Sequence, residues 1–368
     1  MTAPRGAVLG AAAVLCGACS GAAGPVEPAA GERPLPGRIV TTERGPRGGR
    51  LVWVAEDGLT RGDLTPIESE PTLDTNPGWS PDGRWIVFAS TRGRRGLAET
   101  SLWVVPANGG APPVRLTRSS SVDRDPRFLP DGRAIVYASN DGKSFDLWLQ
   151  PLAGGDGTTP PRATGKPRQL TRTFELDELS PSPRPDGKGV VYMAMDRSQK
   201  ASLWSVALDG ETQRLTDGPF DATPAVSPDG RRIVFAAPVK GRVDIDLHVC
   251  DIDGSNRRLL VADRIADETG PVWSADGRHV VATSVVRSIK TSKALMSLLV
   301  VIDMAEPKPI LRGLIDLIDP ASVPPRLGAA LAPGPLDAAM VARNPTLKRV
   351  VELVLQNVLQ QQGGGPKP

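Results

Sequence analysis

Histidine and cysteine are scarce in this chain, which has two histidines and three cysteines among 368 residues. His248 and His279 are too few and too far apart for a histidine-rich metal centre or a metalloprotease helix. The nucleophile elbow of serine hydrolases, the phosphate-binding loop and the glycine fingerprint of dinucleotide-binding folds are also missing. The sequence therefore predicts no catalytic, cofactor-binding or metal-binding residue.

Charge of one sign is not in excess, because 44 Lys and Arg face 41 Asp and Glu, for a formal charge of +3. The arginines are scattered among glycines and turns and form no basic run of the kind that binds phosphate backbones. We therefore expect no nucleic-acid partner.

Long apolar runs are equally scarce, and the clearest one lies near the N-terminus. Arg5 precedes the uncharged stretch Ala7 to Leu15, which is far shorter than the roughly 20 residues that a membrane-spanning helix needs. Such a stretch is typical of the apolar region of a signal peptide, here residues 1–18. The following Cys16, Gly17, Ala18 and Cys19 resemble a bacterial lipobox, which implies lipid attachment at Cys19. An ordinary secretory signal cut nearby is the alternative.

Lipidation at Cys19 would leave Cys250 without an intramolecular disulfide partner, since Cys16 would leave with the signal. Residues 19–36 are rich in Ala, Gly and Pro and are predicted to form a flexible tether. In the resemblance to enteric lipoproteins, Ser20 implies the periplasmic side of the outer membrane. The expected membrane contact is through the lipid alone.

Glycine and proline are abundant, with 39 and 37 residues, and many of them fall within an internal repeat. A period of 40 to 50 residues indicates propeller blades or a related array. Five 15-residue blocks align without a gap: NPGWSPDGRWIVFAS from Asn76, DPRFLPDGRAIVYAS from Asp125, SPSPRPDGKGVVYMA from Ser180, TPAVSPDGRRIVFAA from Thr223 and GPVWSADGRHVVATS from Gly270.

Each block is followed by a second shared segment and then by a short closing segment. The second segment contains Leu-Trp in three repeats, such as SLWVV from Ser101, and is DLHVC from Asp246 and the more degraded SLLVV from Ser297 in the other two. The closing segments are VRLT from Val114, RQLT from Arg168, QRLT from Gln213 and RRLL from Arg257, with a loose counterpart at Pro309 to Arg312. The Asp-Gly turn joins a first strand to a β-branched, aromatic second strand, and the later segments supply a third and a fourth strand. Four strands per repeat is the pattern of a propeller blade.

The N-terminal side supplies a partial sixth repeat without its leading strand. Gly37 to Thr42, Leu51 to Gly58 and Asp63 to Thr65 resemble the second, third and fourth strands. We expect Leu314 to Ile318 to provide the missing strand, so that both termini share one blade and no sheet edge stays open.

The repeated WSPDGRxIVF core, the Leu-Trp segment and the Arg-Leu-Thr ending resemble the PD40, or WD40-like, repeat of the TolB propeller. The resemblance covers residues 37–318 and implies an all-β fold, a six-bladed β-propeller of four-stranded blades. TolB itself has an α/β domain before its propeller, and the short tether here leaves no room for it. The fold carries over from this resemblance, but the role of TolB does not.

The C-terminal part of the chain differs from the repeats. Residues 319–343 are rich in Pro and Ala and are predicted to form a linker. Asn344 and Pro345 are typical of a helix start, and apolar residues from Leu347 to Val358 recur at helical spacing. We predict an amphipathic helix over residues 344–361 that docks on the propeller or, alternatively, on a partner.

Five aspartates recur once per repeat at the predicted turn, and turn capping explains them; a cation held by their ring is the alternative. They are Asp82, Asp131, Asp186, Asp229 and Asp276. His248 replaces a packing Trp of the other repeats, and His279 holds a tolerant, exposed position. The Asp251-Ile252-Asp253 segment faintly resembles a calcium loop, but a hairpin turn is the better interpretation.

A non-enzymatic protein is the expected function: a monomer whose propeller binds an envelope protein or peptidoglycan, with no cofactor. A carboxylate-based hydrolase or lyase acting on peptide or polysaccharide is the alternative, and a pocket with perturbed carboxylates would favour it. The candidate binding surfaces are the loops Gly155 to Lys166 and Arg287 to Ala294 and the predicted terminal helix.

Overall fold

A computed structural model shows an all-β protein of 25 strands in the part of the chain that it describes. The described residues are 14–16, 38–45, 48–54, 61–66, 68, 70–93, 99–118, 120–141, 144–155, 159–239, 244–261, 266–287, 294–305 and 309–316. Within these ranges no helix is long and apolar enough to cross a membrane. Cys19, the tether, the linker 319–343 and the predicted helix 344–361 lie outside them.

The strands fall into six consecutive units. Unit 1 contains β1 (Val14–Cys16), β2 (Arg38–Gly45), β3 (Gly48–Val54) and β4 (Arg61–Asp63). Unit 2 contains β5 (Thr72–Trp79), β6 (Trp85–Ser90), β7 (Ser101–Pro106) and β8 (Val114–Arg115). Unit 3 contains β9 (Asp123–Phe128), β10 (Ala134–Ser139), β11 (Asp146–Ala153), β12 (Arg162–Ala163) and β13 (Arg168–Gln169).

Unit 4 contains β14 (Leu176–Pro183), β15 (Gly189–Asp196), β16 (Ala201–Ala207) and β17 (Thr212–Arg214). Unit 5 contains β18 (Ala222–Val226), β19 (Arg232–Pro238), β20 (Ile245–Asp251) and β21 (Arg258–Val261). Unit 6 contains β22 (Ala266–Trp273), β23 (His279–Arg287), β24 (Ala294–Asp303) and β25 (Pro309–Asp316).

Units 3 to 6 are four blades, each a separate antiparallel sheet. Consecutive strands pair in each of them, except that β12 and β13 of unit 3 both pair with β11. Unit 2 has the same strand order but joins unit 1 through a short parallel contact of β3 with β5 at Gly48 and Gly49. The predicted all-β, propeller-like arrangement is therefore confirmed at the level of these blades.

The second strand of each repeat is buried on both faces, as its apolar sequence predicts. Ile86, Val87 and Phe88 of β6 and Ile233 and Val234 of β19 have no exposed surface. A strand of this kind packs against the neighbouring units on each side, so its apolar burial holds successive sheets together.

A bulge interrupts the first strand of every repeat from unit 2 to unit 6, at the residue before the repeated proline. This residue has a positive φ in each case, including 48° at Thr223, which is rare for a β-branched residue. In units 3 and 5 its side chain links neighbouring first strands: Asp125 Oδ2 accepts the Ser180 N–H at 3.1 Å, and Thr223 Oγ1 accepts the Gly270 N–H at 3.3 Å. The strained residue thus joins one unit to the next.

The predicted closing strand is wrong in its described part. Leu314, Ile315 and Asp316 belong to β25, which pairs with β24 as the fourth strand of unit 6. The place beside β2 is taken by β1, which lies within the predicted signal peptide. Since β25 satisfies backbone groups along its own sheet, Leu314, Ile315 and Asp316 are not available to pair with unit 1.

One repeat boundary also shifts by a residue. The closing strand of unit 5 begins at Arg258, because Val249 pairs with Arg258 in the register that Ser205 and Gln213 show in unit 4. The sequence alignment that begins RRLL at Arg257 is therefore wrong. Arg257 instead holds the register position of Thr212 in unit 4.

Candidate functional site

The five repeated aspartates lie at the turns between first and second strands, where they are exposed. Each carboxylate accepts the backbone N–H two residues further on, at 2.9–3.1 Å. In three units a serine hydroxyl also donates at 2.5 Å: Ser80 to Asp82, Ser227 to Asp229 and Ser274 to Asp276. These hydrogen bonds lower the pKa of Asp229 and Asp276. In the described ranges no group of His, Cys, Asp and Glu is placed to hold a metal ion.

His248 packs as an aromatic side chain. It is buried, and its ring stacks on Phe235 with centroids 5.8 Å apart. Burial lowers the pKa of His248, so the neutral ring is favoured. Burial also raises the pKa of the Cys250 thiol to about 12, which makes this cysteine a poor nucleophile.

The segment from Asp251 to Asn256 is a hairpin. Asp253 Oδ1 accepts the Ser255 N–H at 2.9 Å, and Asn256 Nδ2 donates to Asp251 Oδ2 at 2.6 Å. Gly254 has a φ of 88° and supplies the left-handed turn. The acidic side chains are thus engaged within the turn.

A second series of repeated acids was missed by the sequence analysis. Each lies two residues before the 15-residue block of its unit and is at most 2% exposed: Asp74, Asp123, Glu178, Asp221 and Glu268. Extending the aligned blocks by two residues would have found them, because the position is acidic in every copy. A buried carboxylate needs partners, so each one marks a polar contact inside the protein.

These acids join neighbouring units through the threonine of the closing segment. Thr117 Oγ1 of unit 2 donates to Asp123 of unit 3 at 2.6 Å, and Thr171 of unit 3 donates to Glu178 of unit 4. The same oxygens accept the backbone N–H of Leu102 and Leu147, both at 2.9 Å. The repeated threonine therefore connects two units, because it accepts a backbone N–H of its own sheet and donates to the buried carboxylate of the next one.

A serine at the end of the second strand is the usual second partner of the buried acid. Ser90 donates to Asp74 at 2.5 Å, Ser139 to Asp123 at 2.7 Å and Ser284 to Glu268 at 3.0 Å. Alanine replaces this serine in units 4 and 5, at Ala194 and Ala237. The acids of these two units must find other partners.

In unit 4 the other partner is Thr173, whose hydroxyl donates to Glu178 Oε1 at 3.2 Å. No Lys or Arg of the described chain forms an ion pair with Glu178. Burial, together with the negative charge of Asp146, raises the pKa of Glu178 to about 7. This carboxyl is therefore partly protonated at neutral pH.

A cavity of about 430 Å³ opens beside Glu178. Every strand of unit 4 contributes to it: Glu178 from β14, Tyr192 from β15, Trp204 from β16 and Thr212 from β17. The other wall is the closing segment of unit 3, residues 169–173. The cavity thus lies between two blades and combines one buried acid with two aromatic rings.

A second cavity of about 350 Å³ shares Leu176 with the first one. It is lined by Phe174, Met195, Asp177 and Arg197, among others. Phe174 is 74% exposed, although large apolar side chains are rarely left in water. We call the two cavities together the Phe174 groove.

The loop that carries Phe174 is fixed at both ends by unit 3. The Thr173 N–H donates to Asp146 Oδ1 at 3.0 Å, and Asp177 Oδ1 accepts the Phe145 N–H at 3.0 Å. Ser144 Oγ also donates to the Thr173 carbonyl at 2.7 Å. The exposed ring is therefore presented by a hydrogen-bonded loop.

Known proteins resemble this chain in its repeats and its fold. An uncharacterized protein of Agrobacterium fabrum is 26% identical over 251 residues, which cover 63% of this chain and 80% of that protein. TolB from Acinetobacter baumannii has a TM-score of 0.57 at 19% identity and covers 77% of this chain and 66% of that one. A puromycin-hydrolyzing peptidase of Mycobacterium tuberculosis has a TM-score of 0.51 at 16% identity, over 74% of this chain and 43% of that one.

At these identities the structural likenesses show the fold alone, and they include proteins with different functions. The PD40 family model, described as the TolB beta propeller domain, matches residues 52–218. This match spans the end of unit 1 and all strands of units 2 to 4, and it includes both walls of the Phe174 groove. Residues 52–218 therefore match the PD40 family model, and over these residues the resemblance predicted from the repeats is confirmed.

Proposed function

We propose that this chain is a non-enzymatic scaffold of the bacterial envelope, anchored by lipid at Cys19 on the periplasmic side of the outer membrane, whose propeller binds a protein. The observation that carries the proposal is the use of the repeated acids. The turn aspartates cap turns and the buried acids join neighbouring units, so both series serve to make the blades rigid. A rigid fold with variable loops is suited to binding.

A closed propeller of six blades is part of this proposal. The first strands contact each other in the order β5, β9, β14, β18 and β22, and β1 contacts both β22 and β5. The order of the contacts among β5, β9, β14, β18 and β22 supports a ring of six units. Lipidation at Cys19 would remove β1 with the signal, so in the anchored protein the innermost place of unit 1 would be left to another strand.

The test is a pull-down from crosslinked envelopes that compares the wild type with Cys19→Ala. We expect one specific envelope protein to co-purify with the wild type and to be lost, or strongly reduced, with the variant. Recovery of peptidoglycan in place of a protein would change the class of partner. Identical behaviour of both forms, with nothing retained, would overturn the anchored scaffold.

A carboxylate-based hydrolase or lyase is the second candidate function, and Glu178 is the observation that favours it. A pKa of about 7 in a cavity is typical of a general acid. Such chemistry needs a second carboxylate, and the candidate is Asp146. Its two oxygens, however, already accept hydrogen bonds from the Thr173 N–H and from Gln169 Nε2–H. Turnover of peptide or polysaccharide substrates that is lost in Glu178→Gln and kept in Glu268→Gln would establish the enzyme and overturn the scaffold.

A further inference from the structure

Unit 5 shows what fills the space that is open in unit 4. There Arg257 Nη1 lies 2.9 Å from Asp221 Oδ1, and its guanidinium carbon lies 5.2 Å from the centre of the Phe235 ring. Asp221 and Phe235 hold the repeat positions of Glu178 and Tyr192. The serine that would otherwise bond the acid is alanine in both units, so Arg257 replaces its hydrogen bond in unit 5.

The position of Arg257 is held by Thr212 in unit 4. The paired residues Ser205 and Gln213 match Val249 and Arg258, which places Thr212 and Arg257 at the same register position. Thr212 lines the cavity, and its short side chain leaves open the volume that an arginine occupies in unit 5. The cavity in unit 4 therefore lies at the place where unit 5 has the guanidinium of Arg257.

The two hairpins that follow the third strands also differ. A Cβ built on Gly254 of unit 5 would overlap the Leu215 carbonyl oxygen, whereas one built on Gly210 of unit 4 would lie 3.7 Å from the Leu170 carbonyl oxygen. The interface between units 3 and 4 is thus wider at this point. The wider interface leaves room for a side chain of another molecule to enter the cavity.

The cation that lines this cavity does not fill it. Arg172 lines it, but Nε and Nη2 of Arg172 donate to Gln169 Oε1 at 3.2 and 3.0 Å. The side chains that donate to Glu178 are therefore the hydroxyl groups of two threonines, and Tyr192 and Trp204 line the same cavity. Aromatic faces and a carboxylate together favour a planar guanidinium over an ammonium.

We propose that the Phe174 groove binds an extended segment of a partner protein, with an arginine of that segment in the cavity at Glu178 and an apolar neighbour against Phe174. This inference deepens the proposed function and rests on it, since it names the partner surface of the scaffold. Charge complementarity supports it, because the two cavities are lined by three acids, Glu175, Asp177 and Glu178, and by two arginines, Arg172 and Arg197. An exposed aromatic held by hydrogen bonds is the usual centre of a protein interface.

The test begins with calorimetry on the purified full chain, using the end-blocked tripeptide leucine-arginine-leucine as the probe. The same tripeptide with citrulline in place of arginine keeps the shape and loses the charge. We expect the citrulline probe to bind at least about tenfold more weakly, as charge-assisted hydrogen bonds are the stronger kind. Equal affinity of both probes, or binding of neither, would overturn the proposal.

Variants then locate the site. Thr212→Arg supplies the side chain that unit 5 has, so it should fill the cavity and abolish binding, while Glu178→Gln should weaken binding by about tenfold or more. Gln213→Arg is the matched control, because it adds the same charge one residue along the strand, on the opposite face. Unchanged affinity in Thr212→Arg, or an equal loss in both arginine variants, would overturn the site.

The source of the guanidinium is tested with argininamide and with Phe174→Ala. If the ligand is a protein segment, the tripeptide should bind more tightly than argininamide, and Phe174→Ala should weaken binding of the tripeptide only. Equal affinity of the two probes would overturn the protein segment in favour of a small guanidine.

The envelope pull-down repeated with Thr212→Arg separates this inference from the proposed function. Loss of the recovered partner supports both. A partner that is still recovered in an anchor-dependent way leaves the scaffold intact and overturns the groove as its binding surface.

Discussion

In unit 5 the side chain of Arg257 fills the space between the Asp221 carboxylate and the Phe235 ring, whereas in unit 4 the same register position holds Thr212 and the space is open. The two units share their strand order, their bulge and their turn. The difference shows that two units with the same strand order can hold an ion pair in one case and, in the other, a cavity beside an acid that has hydroxyl partners and no ion pair. Variation among repeats is therefore the place to look for function in this protein.

The largest expected effect is the loss of the arginine in unit 5. Arg257→Thr should lower the free energy of unfolding by about 3–5 kcal/mol, because it leaves the fully buried Asp221 without its cation. Urea denaturation measures the change. Arg258→Thr is the control, since Arg258 is exposed, and it should change the free energy by less than about 0.5 kcal/mol. Equal effects of both variants would show that the ion pair of Arg257 with Asp221 does not stabilise unit 5.

The next effect is the pH dependence that Glu178 contributes. Its folded pKa of about 7 lies above the ordinary value of 4.5, so the folded protein binds this proton more tightly than the unfolded one. Its contribution to stability is fully present below pH 4.5 and is lost as the pH rises through 7, by on the order of 3 kcal/mol in all.

Glu178→Gln removes this titration and should make the protein more stable than the wild type at pH 8 and equally stable at pH 4.5. Unfolding midpoints across this range provide the measurement. Asp221→Asn is the contrast from unit 5, where loss of the ion pair should destabilise the protein at every pH. A wild-type profile that stays parallel to that of Glu178→Gln would contradict the raised pKa.

A smaller difference in stability is expected between variants of the two threonines in the closing segments of units 3 and 4. Thr171→Val removes the acceptor of the Leu147 N–H and a donor to Glu178, so we expect a loss of about 2–3 kcal/mol. Thr216→Val removes the acceptor of the Leu203 N–H, and the expected loss is about 1–2 kcal/mol. Thermal or urea unfolding of both variants gives the difference, and the opposite order would contradict the role of Glu178 as a partner.

The smallest effect concerns a feature in which units 4 and 5 agree. Asp186→Ala and Asp229→Ala each remove a turn cap at the surface and should each cost about 1 kcal/mol. Similar losses in the two variants would show that the turns of both units serve the same structural purpose. A loss of binding in either variant without a loss of stability would instead assign these turns to the binding surface.

The repeat pattern predicted the blades because each unit carries its own local signals. The Asp-Gly turn and the β-branched second strand recur in units 2 to 6, the Leu-Trp segment recurs in units 2 to 4, and the strands lie where these signals place them. Closure was predicted wrongly, since β25 uses Leu314 to Asp316 in its own sheet. Which distant strand fills a place in a sheet depends on competition among backbone partners, and a local pattern does not contain that information.

The candidate site was predicted less well than the fold. The loops chosen for their extra length did not include the loop of Phe174, which is short and differs in composition. The buried acids could have been found from their recurrence, and the alanines at 194 and 237 could have been noted. The cavity could not have been found, because the equivalence of Thr212 and Arg257 depends on a strand register that the sequence alignment placed one residue away.

The sequence by itself determined the all-β class, the repeated turn and the order of strands in each blade, because turn chemistry and apolar alternation act over a few residues. Tertiary structure alone decided which units leave a cavity between them. A cavity depends on side chains from several strands of one unit and from the closing segment of the unit before. Glu178, Tyr192, Trp204 and Thr212 lie on the four strands of unit 4, and only the stacking of units 3 and 4 places residues 169–173 against them.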